Sequence, residues 1–452
     1  MIKSKMPKKN NPSLLLAMSF LFVIVLGTIL LSLPISYHGE KLNIIDALFT
    51  STTSTCVTGL MVANAVDFSL FGQIVILFLI QIGGLGLMTF VAVIIMHFGN
   101  QLELKGRDLM KEALNKENYE DIGKYIKAII KYTLTFETLG FLVILTQIYN
   151  GSLYSIFQSV FLSVSAFCNA GIDVLGTTSL LAYQNNVVIN VMVSMLIIFG
   201  GIGFAVWFDV YNNIKKRRHL KAKYSVFDRL SVSSRIVIIV TTLLILSGTI
   251  FILITEWNGV LKDCNIFEKV LQASFNSITL RTAGFSTFDY SALSSPTKII
   301  MCLFMLVGAS PGGTGGGMKT TTFFLLIVTV LQELQGISNF HVFNHHIPKK
   351  TITKALTIML LYVSTLIMAM ILLTGSEENI NSIDLLFEAV SAIGTVGLST
   401  GITTVLNYFS RVIIIILMFV GRLGPITIAL MLKTNKGSSS KINYPKTDLL
   451  LG

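Results

Sequence analysis

The chain has 452 residues, of which 53% are hydrophobic and only 13% are charged. Soluble domains carry about 25% charged residues, so this composition, with a mean hydropathy of +0.74, excludes an ordinary soluble protein and predicts a polytopic membrane protein. The net charge of +11 lies in short segments between apolar runs, which favours membrane topology over nucleic-acid binding as its explanation.

Long apolar runs predict eight membrane spans, because a helix needs about 20 residues to cross a bilayer. The first run follows four lysines and is predicted to stay uncleaved, since a signal peptide has a shorter apolar core and a small-residue cleavage site. In chain order the predicted spans are 14–33, 72–98, 125–148, 187–211, 236–255, 299–334, 355–374 and 409–432.

Between the two spans of each pair lies an apolar segment that is too short to cross a bilayer. Irregular backbone at membrane depth is tolerated only where it is buried in protein or lines a watery cavity. We therefore predict four re-entrant half-helices, and an all-α fold of four span–pore-helix–span units in a pseudo-four-fold arrangement around one pore. The four short segments are 44–58, 155–170, 266–281 and 383–394.

Each short segment ends in a glycine motif, and the four glycines follow one another at steps of 112, 113 and 113 residues. A fixed period is typical of a repeated unit. Glycine lets the chain turn its carbonyl groups toward one axis, and a ring of carbonyls forms a cation filter. Close helix packing through small residues is the alternative, but four motifs in register favour a filter. The predicted ion-binding residues are Val57, Thr58, Gly59, Asn169, Ala170, Gly171, Thr282, Ala283, Gly284, Thr395, Val396 and Gly397.

The distribution of Lys and Arg predicts the orientation of the units. The linkers between units are basic, whereas 61–72, 172–186 and 398–410 contain no basic residue. Linkers and both termini are therefore predicted to be cytoplasmic, and the glycine loops to open outward. The predicted organisation is a basic N-terminus (1–11), unit 1 (12–99), a linker (100–124), unit 2 (125–214), a basic linker (215–234), unit 3 (235–336), a linker (337–352), unit 4 (353–434) and a C-terminal tail (435–452).

The sixth span is interrupted by ten residues that include six glycines and one proline, which cannot remain a regular helix. A phosphate-binding loop is not expected, because Met318 separates Gly317 from Lys319 and both flanks are membrane spans. A flexible kink is the alternative, but a glycine-rich break in one unit at membrane depth favours a mobile gating loop. The predicted gating residues are Gly308, Ala309, Ser310, Pro311, Gly312, Gly313, Thr314, Gly315, Gly316, Gly317, Lys319 and Arg422.

Charged side chains inside spans are costly and usually face a cavity or a partner. Arg422 is predicted to lie near the pore, with snorkelling toward the cytoplasm as the alternative, while Glu137 fits a structural and a functional partner equally. The cysteines lack paired spacing and predict neither a zinc site nor a disulfide framework: Cys56, Cys168, Cys264 and Cys302. Three histidines of the last linker fit a solvated or lipid-facing loop better than a metal site: His341, His345 and His346.

These motifs resemble the Trk/Ktr/HKT superfamily of potassium transporters, and most closely its bacterial Ktr membrane subunits of the KtrB and KtrD type. The resemblance covers almost the whole chain and is most specific at 278–285, 308–319, 394–398 and 419–425. It implies a homodimer with one pore in each subunit, the four glycines as selectivity filter, 308–317 as gating loop and Arg422 below the filter. It also implies a separate cytosolic ring of RCK-like, nucleotide-binding regulatory subunits that docks on the cytoplasmic linkers.

Some plant members of this superfamily replace the first filter glycine with serine and favour sodium, whereas this chain has glycine at all four positions. We therefore expect a non-enzymatic, multi-pass cell-membrane subunit for potassium uptake, with potassium as the transported ion and sodium as a candidate activator. No cofactor is expected in this chain, because the nucleotide would bind the partner subunit, and no nucleic-acid partner is expected. The alternative is a sodium-permeable or coupled secondary cation transporter of the same architecture.

Overall fold

The computed structural model describes residues 12–39, 42–86, 120–217, 227–337 and 339–432, which are mostly helical. The predicted N-terminal segment 1–11, the end of the second predicted span and the tail 435–452 lie outside the described residues. So do residues 100–119 of the linker 100–124 and residues 218–226 of the linker 215–234.

Fifteen α-helices lie within the described residues, three in unit 1 and four in each other unit. Unit 1 contains α1 (Pro12–Leu31), α2 (Ile44–Cys56) and α3 (Leu70–Leu85). Unit 2 contains α4 (Glu120–Ile148), α5 (Leu153–Cys168), α6 (Val187–Ile202) and α7 (Phe204–Arg217). Unit 3 contains α8 (Val232–Glu256), α9 (Ile266–Thr279), α10 (Ser295–Leu306) and α11 (Thr320–Leu334). Unit 4 contains α12 (Lys349–Ser376), α13 (Ser382–Gly394), α14 (Tyr408–Leu423) and α15 (Pro425–Leu432).

Short elements connect the helices. A hairpin of β1 (His341–Val342) and β2 (His345–His346) joins α11 to α12, with His341 opposite His346. The 3₁₀ helices are Pro34–Ser36, Ala65–Asp67, Ser179–Tyr183, Phe227–Arg229 and Ile402–Thr404.

By length and apolar composition, three of the described helices could each cross a membrane alone: α4 from Tyr125, α8 and α12. A fourth candidate is the pair α6 and α7, which are bent by 93° at their junction. The other apolar helices in the described part of the chain are shorter, so the count of eight spans stays a prediction.

The second spans of units 2 and 4 are broken between α6 and α7 and between α14 and α15, which differs from the expectation of continuous helices over 187–211 and 409–432. Helices α3, α6 and α14 each end at a glycine with positive φ, namely Gly86 (82°), Gly203 (97°) and Gly424 (82°). Glycine adopts this conformation without the steric penalty that a Cβ brings. In unit 3 the break is widened into the loop between α10 and α11. The loop is therefore an enlarged form of a break that units 2 and 4 also have.

Each second-span helix packs against the short helix of the next unit, in the pairs α3–α5, α6–α9, α10–α13 and α14–α2, and the last pair closes a ring. Four polar contacts accompany these pairs: Tyr154 Oη donates to Gln73 (3.1 Å), Gln272 donates to Asn185 (2.9 Å), and Lys298–Asp384 (2.8 Å) and Arg411–Asp46 (2.6 Å) are ion pairs.

Close backbone contact also joins the second span to the short helix within units 1, 2 and 4. A Cβ added to Gly83, Gly200 or Gly421 would lie only 2.1, 1.9 or 2.1 Å from the carbonyl oxygen of Thr55, Phe167 or Ile393, respectively. These carbonyls belong to the last turns of α2, α5 and α13. Because lipid supplies no hydrophobic driving force between helices, such small-residue packing is a principal source of association within a membrane.

Gly200→Ala is therefore expected to destabilise the protein, because the new methyl group meets rigid backbone at Phe167. Overpacking of this kind costs about 1–3 kcal/mol, which should appear as a lower midpoint of thermal unfolding for the protein purified in detergent. Gly375→Ala in α12 is the matched control, since a Cβ there meets no atom within 4 Å. Equal unfolding midpoints for the two variants would contradict this account of the packing.

Candidate functional site

The same left-handed backbone conformation recurs between each short helix and the predicted filter glycine that follows it. The short helices are α2, α5, α9 and α13. The residue two positions before each filter glycine has positive φ: Val57 (56°), Asn169 (60°), Thr282 (61°) and Thr395 (51°). A left-handed conformation is unfavourable for residues with a Cβ and persists only where surrounding structure enforces it. Its recurrence at one register in four segments indicates a common filter geometry.

Hydrogen bonds from the short helices hold these loops. Residues Thr53, Ser165 and Ser391 occupy one register, and the carbonyl of each accepts the backbone N–H of Thr58, Ala170 or Val396 at 2.8 Å. Their hydroxyls accept further N–H groups, from Gly59 (2.9 Å), Ile172 (3.2 Å) and Gly397 (3.0 Å). Unit 3 differs, because Ala283 N–H donates to Thr279 O at 3.0 Å.

The four filter glycines meet at one place. A Cβ added to Gly59 would lie 3.2 Å from Gly397 Cα and 3.3 Å from Gly171 Cα, and one added to Gly284 would lie 2.9 Å from Gly171 Cα. Their φ angles are 105°, 65°, 80° and 89° in chain order. Segments more than 100 residues apart in sequence therefore form a single ring of glycine backbones.

Each glycine in this ring faces a carbonyl oxygen of the next unit. The added Cβ would lie 2.6 Å from Ala170 O at Gly59, 2.7 Å from Ala283 O at Gly171, 2.7 Å from Val396 O at Gly284 and 2.0 Å from Thr58 O at Gly397. The contacts run in order around the ring and close on the first unit. Any side chain would therefore displace a neighbouring carbonyl, which explains why glycine occupies all four positions.

Oxygen atoms are the available ligands around this ring. Four buried threonine hydroxyls near the filter have no hydrogen-bond partner among the described residues: Thr55, Thr58, Thr279 and Thr282. Within the described residues, no cluster of three or more His, Cys, Asp or Glu side chains is suited to bind a metal ion. Carbonyl and hydroxyl oxygens without a fixed carboxylate suit a weakly held, dehydrated cation.

The loop between α10 and α11 lies against the deeper end of the filter. The backbone N–H of Gly316 donates to Thr395 Oγ1 at 3.0 Å. A Cβ on Gly315 would lie 1.9 Å from Thr282 Oγ1. Both threonines are the left-handed residues that precede filter glycines, so the loop contacts the filter of units 3 and 4 directly.

Backbone hydrogen bonds order this loop. Gly308 N–H donates to Met318 O at 2.9 Å, which closes its two ends. Ser310 N–H and Thr314 N–H donate to Gly201 O and Gly200 O at 3.0 and 3.1 Å. The loop is thus anchored on the broken second span of unit 2.

Two cationic side chains bind carbonyl groups of the same loop. The guanidinium of Arg422 donates to Thr314 O and to Gly83 O, and so joins unit 4 to the loop and to unit 1. Lys319 Nζ donates to Gly315 O at 2.9 Å. Arg422 therefore lies beside the loop, and its side chain is directed into the protein.

The other residues that the sequence singled out are not part of the ring, although Cys56 and Cys168 directly precede Val57 and Asn169. Gln81 donates to the buried Glu137 carboxylate at 3.4 Å, which links the second span of unit 1 to α4. The hairpin histidines are exposed, and the four cysteines are free thiols: Cys56, Cys168, Cys264 and Cys302.

Asp173 is a site residue that the sequence reasoning missed. It lies two positions beyond Gly171, is 8% exposed, and accepts the N–H of Leu175 at 3.1 Å. Burial raises the pKa of this carboxyl to about 6, although hydrogen bonds from Leu175 N–H and the Ser179 hydroxyl act in the opposite direction. An acidic residue directly after a filter motif was the signal available in the sequence.

Comparisons with known proteins identify the family of this chain. Residues 3–442 match the family model described as TrkH, a cation transport protein. The Ktr system potassium uptake protein B of Bacillus subtilis is 35% identical over 98% of this chain and 97% of its own length. The potassium/sodium uptake protein NtpJ of Enterococcus hirae is 35% identical over 100% of this chain and 99% of its own length. The crystal structure of TrkH from Vibrio parahaemolyticus aligns with a TM-score of 0.73 at 18% identity, over 95% of this chain and 86% of that one. The chain therefore belongs to the TrkH family of membrane cation transport proteins.

Proposed function

We propose that this protein is the ion-conducting subunit of a potassium uptake system, in which the four units surround one pore and the glycine ring is its selectivity filter. The observation that carries the proposal is the closed ring in which each glycine faces a carbonyl of the next unit. Such carbonyls replace the hydration shell of an entering cation. Relatives that cover nearly the whole chain are named as potassium uptake proteins, which supports potassium as the ion.

Transport in this proposal begins with dehydration of the ion at the outer face of the filter. The ion then passes the unpartnered threonine hydroxyls toward the inner side, where the loop 308–317 obstructs its path. The direct hydrogen bond between Gly316 and Thr395 supports this role, because movement of the loop would open the space below the filter. Arg422 and Lys319 hold the closed conformation through loop carbonyls.

Control of the loop is assigned to a separate cytosolic, nucleotide-binding, RCK-like regulatory subunit. The names of the Ktr system relatives describe components of a system, which supports a partner of this kind. The proposal includes a homodimer in the cell membrane with both termini in the cytoplasm, and sodium as an activator. The second candidate, a sodium-permeable or coupled transporter, is favoured by the name of the potassium/sodium uptake protein of Enterococcus hirae.

The first test is growth of a potassium-uptake-deficient host at low external potassium, with and without sodium and a candidate cytosolic partner. Potassium-dependent growth that requires this chain is the expected result. Growth that follows sodium entry without potassium uptake would favour the second candidate instead.

Gly284→Ser is expected to lower the preference for potassium over sodium by about tenfold, equivalent to about 1.4 kcal/mol. The reason is that a side chain at this positive φ displaces Val396 O from the ring. The ratio is measured from reversal potentials or from competing uptake of the two ions. Gly401→Ser is the matched control, because Gly401 also has positive φ (91°) but a Cβ there meets nothing within 4 Å. Loss of selectivity in both variants, or in neither, would contradict a filter role for Gly284.

Deletion of residues 310–316 is expected to raise potassium flux in proteoliposomes several-fold and to weaken its dependence on the regulatory subunit. The deletion removes the segment that contacts Thr282 and Thr395 below the filter. Gly375→Ala in α12, where a Cβ meets no atom within 4 Å, should leave flux unchanged. If flux falls while the deleted protein stays folded, the loop is not a barrier.

Uptake is also expected to depend on external pH through Asp173. Its pKa of about 6 means that the carboxyl is charged at pH 7.5 and neutral at pH 5. A negative charge beside the mouth raises the local cation concentration, so the KM for potassium should rise about threefold between pH 7.5 and pH 5.

Asp173→Asn should show the higher KM at both pH values. Asp289→Asn, which removes an exposed carboxylate of the unit 3 outer loop, should keep the pH dependence. An unchanged pH profile in Asp173→Asn would show that another group is responsible.

A further inference from the structure

A carboxyl group is buried in the short helix of unit 4, directly behind its filter segment. Glu388 lies in the middle of α13, nine residues before Gly397, and only 1% of its surface is exposed. Burial of a carboxyl is costly unless hydrogen bonds compensate for its lost hydration. The presence of this carboxyl in α13, the helix that precedes Gly397, therefore requires an explanation.

Both compensating contacts come from the segment that follows the filter. One carboxylate oxygen, Oε1, accepts hydrogen bonds from the hydroxyls of Ser399 and Thr403, the latter at 2.7 Å. The two hydroxyls are also 2.9 Å from each other, and Ser399 Oγ accepts the N–H of Gly401 at 2.9 Å. The other oxygen of Glu388 has no partner among the described residues. The hydroxyls thus bind one oxygen of the carboxyl and leave the other unused.

The segment around Gly397 is consequently fixed to α13 on both sides. On the near side, Ser391 Oγ accepts the N–H of Gly397 at 3.0 Å. On the far side, Glu388 holds Ser399, two residues beyond the glycine. One helix turn separates the two anchors on α13, so movement of the helix or loss of either anchor would shift the Gly397 backbone.

The other units have no carboxyl in this place, although Asn276 donates to Thr287 in unit 3 at 2.7 Å and Gln158 donates to Val174 O in unit 2 at 2.8 Å. The residues at the register of Glu388 are Thr50 in α2, Leu162 in α5 and Phe275 in α9. Leu162 and Phe275 are apolar, and Thr50 donates its hydroxyl to Asp46 O in its own helix at 2.9 Å. The sequence repeat therefore predicts no carboxyl at this register, and Glu388 is a feature of unit 4.

We propose that Glu388 is a positioning residue of the selectivity filter, which holds the segment beyond Gly397 through Ser399 and Thr403 and thereby sets the preference for potassium over sodium. This inference rests on the proposed role of the glycine ring as the filter. Gly397 has the tightest contact in that ring, since a Cβ there would lie 2.0 Å from Thr58 O. A small displacement of its backbone therefore changes the spacing of carbonyls from two units.

Three substitutions separate positioning from general stability. Glu388→Ala removes both hydrogen bonds and should lower the potassium-to-sodium permeability ratio about fivefold. Glu388→Gln keeps the oxygen that accepts hydrogen bonds from both hydroxyls, and it replaces the carboxylate oxygen that has no partner with an amide nitrogen. This variant should therefore keep most of the wild-type permeability ratio. Thr50→Val in unit 1 is the matched control and should leave the ratio unchanged, because the hydroxyl of Thr50 donates within its own helix, to Asp46 O.

The ratio is measured from reversal potentials of purified full-length protein in liposomes, beside its unfolding midpoint in detergent. Ser399→Ala should also lower the ratio, and adding it to Glu388→Ala should lower the ratio little further, because the two residues share one contact. If Glu388→Ala fails to fold, Ser399→Ala carries the test.

Reduced unfolding midpoints with an unchanged ratio in Glu388→Ala and Ser399→Ala would overturn the proposal and assign both residues a structural role only. Equal losses in Glu388→Gln and Glu388→Ala would also overturn it. A wild-type protein that does not discriminate between the two ions would instead refute the proposed filter itself, so the two failures are distinguishable.

Discussion

The rest of this structure depends on the close approach of four backbones at the glycine ring. A Cβ at any of these positions would lie between 2.0 and 2.7 Å from a carbonyl oxygen of the next unit. To bring the chain there, a residue two positions before each glycine adopts a left-handed conformation, which costs conformational energy at Val57, Asn169, Thr282 and Thr395. The inter-unit packing of second spans on neighbouring short helices compensates for that cost and holds the ring closed.

The filter and the loop are connected because two filter residues also contact the loop. Thr395 precedes Gly397 with positive φ and also accepts the N–H of Gly316. Thr282 has the equivalent position before Gly284 and contacts Gly315. In the proposed transport function, movement of the loop would remove contacts from the filter itself and would thereby couple conduction to selectivity in units 3 and 4.

The sequence predicted the features that reside in single segments. The spacing of Gly59, Gly171, Gly284 and Gly397 and the shortness of the preceding apolar runs predicted four loops, and the short helices end within a few residues of the expected positions. It did not predict that helices end at Gly86, Gly203 and Gly424, because apolar residues continue on both sides of each glycine. Nor did it predict the roles of Asp173 and Glu388, which depend on burial and on partners that folding brings near.

The central claim, that the glycine ring binds a dehydrated cation, is tested most directly by locating the ion. Thallium replaces potassium in oxygen-lined sites and gives a strong anomalous signal, so crystals of the protein grown with thallium should show a peak on the axis between the four glycines. Ordered thallium elsewhere in the pore with none at the ring would contradict the account.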